Sequence, residues 1–397
     1  MRKNLMVSMF VMLIAVLVLS ACGPAATPQT VVQTQVVVVT ATPGPAAPPT
    51  PTSLPVGSVQ ITGTGATFPL PLYTQWTYAY QYVDPAVVIN YTGVGSGAGK
   101  TAILANTVDF AGSDSLLSDQ QYTDGKDLQM YPMVAGAVAP VYNIAFKPVP
   151  TPAAGGTAIT LPKLILDRQT LVDIYNGKVT KWNDPKILAL NPDLVNYLPD
   201  EAITTVHRSD GSGTTEIFTK ALTSFSPDWT AGGAQSVQWP GQGLGGKGNA
   251  GVAAAVINTP NAIGYVELSY ALSNSMSVTK LVNKAGKTVT ANGDSVNAAM
   301  AEFASAFTPK LTATIVDGSS DGAWPITGYT YIILHTTGMT DCVKAQKLLE
   351  FLQWAQTDAG AQSTAAKLGY SVLPDAVRTT VLAKLGEVTC NGQTVLK

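Results

Sequence analysis

The sequence predicts an α/β fold, and two observations carry that prediction. Short β-branched runs hand over to glycine-rich turns and then to helical stretches, and the unit recurs along the chain. Residues 58–397 offer 340 positions, more than one simple core accommodates and enough for two lobes.

The first 57 residues stand apart from this pattern. Arg2 and Lys3 precede an apolar run from Leu5 to Ser20. Leu19-Ser20-Ala21-Cys22 has the small residues and the cysteine of a bacterial lipobox, where the thiol takes a diacylglyceryl group. This predicts a lipoprotein signal peptide over 1–21 and lipidation at Cys22. The protein is then extracytoplasmic and held at the cell membrane; an uncleaved anchor is the alternative. Residues 22–57 carry eight prolines and no charge, the composition of an extended tether.

The folded part follows in order. Val87 to Tyr91 reads as a strand, ends in Gly93-Val94-Gly95-Ser96-Gly97, and leads to a helix over 98–105. Residues 147–160 read as a Pro/Gly surface loop. Ile203 to His207 is a second strand, followed by Asp210-Gly211-Ser212-Gly213-Thr214 and a helix over 215–222. Tyr329 to Leu334 reads as a strand that enters a last helical region. There Leu348, Leu349, Leu352 and Ala355 recur at helical spacing within 344–357.

Composition narrows the function. The 397 residues include 23 Lys or Arg and 25 Asp or Glu, so charged residues make up 12%, about half the usual share. The net charge of −2 gives no basic surplus for a nucleic-acid partner. A hydrophobic content of 46% excludes a charge-rich disordered chain. Besides Cys22, only Cys342 and Cys390 are present. In an exported protein this even remainder predicts a Cys342–Cys390 disulfide, with two separate buried thiols as the alternative.

Three turns share one design of small residues and hydroxyls where a strand meets a helix: Gly63 to Pro69, Gly95 to Gly99, and Arg208 to Thr215. Glycine lets a backbone approach a ligand, and free N–H groups at a helix start make an anion site. Thr67, Ser96, Ser212 and Thr214 add neutral donors, and Arg208 adds a planar fork suited to an oxyanion. Other motifs fall short. Gly241 to Gly248 nearly spells a phosphate-binding P-loop or a dinucleotide fingerprint. It lacks the closing Ser or Thr and a preceding strand. With only His207 and His335 and no Cys/His cluster, neither a metal nor a cofactor is expected. No nucleophile with a partnering base is visible, and His207 reads as a structural strand-end residue.

With these residues in view, the chain resembles the phosphate-binding protein family of the phosphate ABC importers. The matching stretches run through most of 58–397. They include ITGTGATFPLPLYTQW, YTGVGSGAGK, NTVDFAGSDSLLSD, VHRSDGSGTTEIF, LGGKGNAGVAAAV, AIGYVELSYA and GAWPITGYTYIIL. The resemblance implies a two-lobed, Venus-flytrap solute-binding fold with the ligand between the lobes. It implies lobes of 58–138 with 332–397 and of 139–331, with crossovers near 137–144 and 326–333. It also implies a monomeric receptor that binds inorganic phosphate and delivers it to an ABC permease, without enzymatic activity. The ligand set it implies is Thr67, Phe68 by its N–H, Ser96, Asp114, Arg208, Asp210, Ser212, Gly213 and Thr214. Leu116 departs from the family, which usually has Pro there.

Asp114 would do the discriminating. A carboxylate facing an anion is repulsive unless it accepts a proton from it, and hydrogen phosphate carries a P–OH where sulfate has none. A helix N-cap is the plainer role for this residue. The rival function is an extracellular phosphatase on the same cradle, which needs a nucleophile or metal pair that the sequence does not clearly offer.

Overall fold

The computed structural model describes residues 58–150 and 160–396. The predicted signal peptide, Cys22, the tether and most of the 147–160 loop lie outside the described residues. Among those described, no helix is long and apolar enough to cross a membrane.

In chain order the first half holds β1 (Val59–Gly65), α1 (Leu70–Tyr80), β2 (Val87–Gly93), α2 (Ser96–Leu104), β3 (Phe110–Ser113), α3 (Asp119–Gly125) and β4 (Leu128–Asn143). There follow β5 (Ile165–Asp167), α4 (Arg168–Tyr175), α5 (Pro185–Leu190), β6 (Thr204–Arg208), α6 (Gly213–Phe225), β7 (Gly243–Gly246) and α7 (Gly248–Asn258). Then come β8 (Ala262–Glu267), α8 (Leu268–Ser273), β9 (Ser277–Val278), β10 (Lys280–Val282), β11 (Thr288–Val289) and α9 (Gly293–Glu302). The chain ends with β12 (Thr327–His335), α10 (Cys342–Thr357), α11 (Ala359–Lys367), β13 (Ser371–Val372), α12 (Asp375–Leu385), β14 (Thr389–Cys390) and β15 (Gln393–Thr394).

The strands run in the order β2-β1-β3-β12-β4-β8-β6-β7. β1 lies parallel between β2 and β3, and β12 is antiparallel to both β3 and β4. β6 lies parallel between β7 and β8, and β8 is antiparallel to β4. β4 joins the two groups: Leu128 to Ala137 pair with β12, and Val138 to Asn143 pair with β8. Its middle is an unbroken apolar run, as a strand covered on both faces requires. The fold is thus mixed α/β with two lobes that share this strand.

Local chemistry sets the helices. Asp341 caps α10, its carboxylate accepting from the Lys344 N–H at 3.0 Å, and Leu348, Leu349, Leu352 and Ala355 face the core. Trp76 of α1 is buried and donates its indole N–H to the Ala361 carbonyl at 2.9 Å. Cys342 and Cys390 form a disulfide with Cα atoms 5.5 Å apart, tying α10 to β14.

No strand directly precedes Gly241 to Gly248; instead Gly243–Gly246 is itself the edge strand β7, paired with β6, and α7 begins at Gly248. Pairing with β6 overrides the weak strand preference of glycine. Several helix boundaries also move outward: α2 starts at Ser96 rather than 98, α6 covers 213–225 rather than 215–222, and α10 starts at Cys342 rather than 344.

Candidate functional site

The three glycine-rich turns converge. Thr67 and Phe68 follow β1, Ser96 opens α2, Asp114 follows β3, and Arg208 ends β6. Asp210 and Ser212 follow Arg208 and lead into α6, whose first residues are Gly213 and Thr214. These nine residues form one contiguous cluster.

The Ser96 hydroxyl is its hinge-pin. It accepts from the N–H groups of Gly213 at 3.0 Å and Asp114 at 3.2 Å, and its own proton reaches Asp114 Oδ2 at 3.4 Å. Gly97 donates its N–H to the Gly211 carbonyl at 3.0 Å. Two glycines permit this approach. A Cβ on Gly95, whose φ is +102°, would sit 2.3 Å from Asp210 Oδ2, and one on Gly213 would sit 2.5 Å from the Asp114 Cβ.

Arg208 has a side chain only 1% exposed, and its fork grips Asp210. Nε donates to Oδ1 at 2.8 Å and Nη2 to Oδ2 at 2.5 Å, while Nη1 reaches the Thr214 hydroxyl at 3.4 Å. Burial alone would raise the Asp210 carboxyl; hydrogen bonds from Arg208 and its charge outweigh that and hold it below the ordinary value. Arg208 therefore keeps a fixed orientation and a charge that one neighbour balances. Ser212 caps α6, accepting from the Thr215 N–H at 3.0 Å, so the helix start faces the same space as the Arg208 fork.

Asp114 is buried, and burial pushes its carboxyl up to about 7. Thr330, the charge of Arg208 and Ser96 pull the other way, and Thr330 Oγ1 donates to Oδ1 at 2.7 Å. Asp114 is not a helix cap: Ser118 caps α3. His207 stacks its ring on Trp239 at 4.9 Å, in keeping with a structural role.

Several residues of the site escaped the sequence reading. Asn249, at the start of α7, donates its backbone and side-chain N–H groups to Thr67 Oγ1 at 3.1 and 2.9 Å. The same side chain donates to Thr214 Oγ1 at 3.1 Å and accepts from the Glu267 N–H at 2.9 Å. Tyr270 donates to the Thr67 carbonyl at 2.5 Å, which fixes the peptide that carries the Phe68 N–H. Tyr370 donates to the Phe68 carbonyl at 2.7 Å. Glu267 lies beneath, fully buried, bonded through Oε2 to Ser269 and Tyr370. Burial pushes its carboxyl up to about 8, so it is mainly neutral at pH 7. Asn249 and Thr330 lie within the matching stretches LGGKGNAGVAAAV and GAWPITGYTYIIL, which was the only signal for them.

The arrangement offers neutral hydroxyl and backbone donors, one guanidinium, and one carboxyl poised between its two protonation states. It contains no serine or cysteine activated by a histidine, and among the described residues no His, Cys, Asp and Glu group could hold a metal ion. It is the constellation of an anion receptor.

A two-lobed receptor for an oxyanion is the class that this fold and site define. A family model described as a PBP superfamily domain matches residues 27–359. The chain is 40% identical over 319 residues to the phosphate-binding protein PstS of Xylella fastidiosa (strain Temecula1), covering 80% of this chain and 82% of the relative. It is 34% identical over 349 residues to PstS of Methanocaldococcus jannaschii, covering 83% and 85%. A solved phosphate-binding protein from Stenotrophomonas maltophilia matches in fold, with a TM-score of 0.59 at 21% identity over 82% of this chain and 94% of that one. The chain belongs to the PBP superfamily and, within it, to the family of the PstS phosphate-binding proteins. These relatives are named as binding proteins, not as enzymes.

Proposed function

We propose that this protein is the extracytoplasmic receptor of a phosphate ABC importer, binding inorganic phosphate between its lobes and passing it to the membrane permease. The single observation that carries the reading is the Arg208 fork, fixed by Asp210 beside the Ser212-capped start of α6, with Ser96 and Asp114 closing over it. Arg208, Ser96, Ser212, Thr214, Thr67 and the N–H groups of Phe68 and Gly213 donate to the phosphate oxygens. Asp114 accepts the P–OH proton, and Asp210 orients Arg208. Names of the relatives support phosphate as the ligand.

The lobes comprise 58–138 with 332–397 and 139–331. The change of β4 partner between Ala137 and Val138 supports the first crossing. β12 pairs with the 128–137 part of β4 from Thr327 onward, which favours moving the second boundary from 331/332 to about 326/327. The monomeric receptor is released from its signal peptide, lipidated at Cys22 and held at the membrane by its tether; the lipobox pattern supports this part of the reading.

Isothermal titration of the purified receptor with inorganic phosphate tests the function. The expected result is saturable heat at one site per chain. An absence of heat, with the protein folded, overturns the reading. Labelling of the expressed lipoprotein with a fatty-acid analogue, lost in Cys22→Ser, tests the anchor.

A further inference from the structure

One polar cluster lies just behind the site and takes no part in holding the anion. Glu216 stands in the first turn of α6 and reaches out of its own helix. Its Oε2 accepts from the Ser115 hydroxyl at 2.5 Å, and its Oε1 accepts from the Leu116 N–H at 3.4 Å. Lys220, one turn on, pairs with Oε1 at 2.7 Å. From the other side, Lys100 of α2 donates to Ser115 Oγ at 2.8 Å and to the Leu116 carbonyl at 3.1 Å. Ser115 and Lys100 are both buried.

The placement of these bonds matters. Lys100, Ser115 and Leu116 belong to the part built on β1, β2 and β3. Glu216 and Lys220 belong to the helix that follows β6. The Ser115 hydroxyl has one proton, which it gives to Glu216 while its lone pair receives the Lys100 ammonium. The chain Lys100–Ser115–Glu216–Lys220 is therefore continuous across the two parts. Within it Ser115 directly follows Asp114, and Glu216 lies within one turn of Ser212 to Thr214. A first-turn glutamate paired four residues on would stabilise α6 alone. That role needs only Lys220. It does not account for the two bonds to Ser115 and Leu116.

We propose that Glu216 is a positioning residue for closure: by bonding Ser115 and Leu116 it holds the two lobes together around the anion. The proposal rests on the two-lobed phosphate-receptor reading above. Contacts made only in the closed state stabilise it with or without ligand, and so lower the fraction of binding energy spent on closing. The bonds must break before a bound anion escapes, so their effect falls on release more than on capture.

Ser115→Ala, Glu216→Ala and the double variant test this, with folding verified by circular dichroism. Stopped-flow release of phosphate is expected to quicken about tenfold in each single variant, with capture changed less than about twofold. The double variant is expected to match Glu216→Ala, because the bond across the lobes that Ser115→Ala removes is already lost with Glu216. Small-angle scattering of the ligand-free proteins is expected to give a larger radius of gyration for the variants than for the wild type. Unchanged release together with an unchanged ligand-free radius overturns the proposal, as do purely additive effects in the double variant. Wild-type protein that binds no phosphate overturns the functional reading instead, and the ligand-free scattering then still decides the role of Glu216.

Discussion

Thr330 Oγ1 lies 2.7 Å from Asp114 Oδ1 and donates to it, so β12 holds the carboxyl at the centre of the site. That bond favours the charged form of Asp114, while burial favours the neutral one, and burial prevails at about 7. Well above that pH the carboxylate can only accept, which suits a P–OH and repels sulfate. Below it the protonated carboxyl can donate to a sulfate oxygen. Sulfate competition against phosphate is therefore expected to emerge as pH falls from 8 to 5.5. Thr330→Val removes a donor to the charged form, raises the Asp114 value further and moves that emergence to higher pH. Competitive titration across the pH series reads both shifts.

Arg208→Lys leaves a positive charge but removes the fork that meets Asp210 through two nitrogens. Charge-assisted hydrogen bonds are worth about 1.5–3 kcal/mol each, so phosphate affinity is expected to fall about a hundredfold. Calorimetry gives the affinity, and thermal unfolding establishes that the variant is folded.

Glu267 offers a test of stability rather than binding. Its carboxyl is pushed from 4.5 up to about 8, so between those values the folded protein keeps a proton that the unfolded chain has released. Folding stability attributable to this residue therefore falls as pH rises from about 4.5 to 8, and levels off above. Glu267→Gln cannot titrate. Its Tm relative to wild type is expected to be more favourable at pH 8 than at pH 5. Equal differences at the two pH values would contradict a neutral Glu267.

The Cys342–Cys390 bridge closes a loop with a sequence separation of 48. Chain-entropy arguments give about 4 kcal/mol for a loop of that size. Cys342→Ser with Cys390→Ser is expected to lower Tm markedly and leave phosphate affinity within about twofold, since neither sulfur touches the cluster around Arg208.

Much of the site was legible because it is built from local signals. Gly95, Ser96, Ser212 and Gly213 announce a strand-to-helix turn by composition, and Arg208 and Asp210 stand two residues apart on one of those turns. Asn249, Tyr270 and Thr330 carry no such signal. Each is a single polar residue whose meaning comes from the strand or helix it meets across the fold, Asn249 meeting Thr67 and Thr330 meeting Asp114. β4 was hidden for another reason. A strand covered on both faces shows no alternation, and the expected crossing near 137–144 lies inside its continuous apolar run. Leu116 gives Glu216 an N–H that a proline at this position would lack.

The most direct measurement is the ratio of phosphate to sulfate affinity at pH 8 in wild type and in Asp114→Asn, by calorimetry of both ligands. Asn can donate where Asp114 can only accept, so the account predicts strong discrimination in the wild type and its collapse in the variant. An unchanged ratio would contradict the assignment of Asp114 as the acceptor of the phosphate proton.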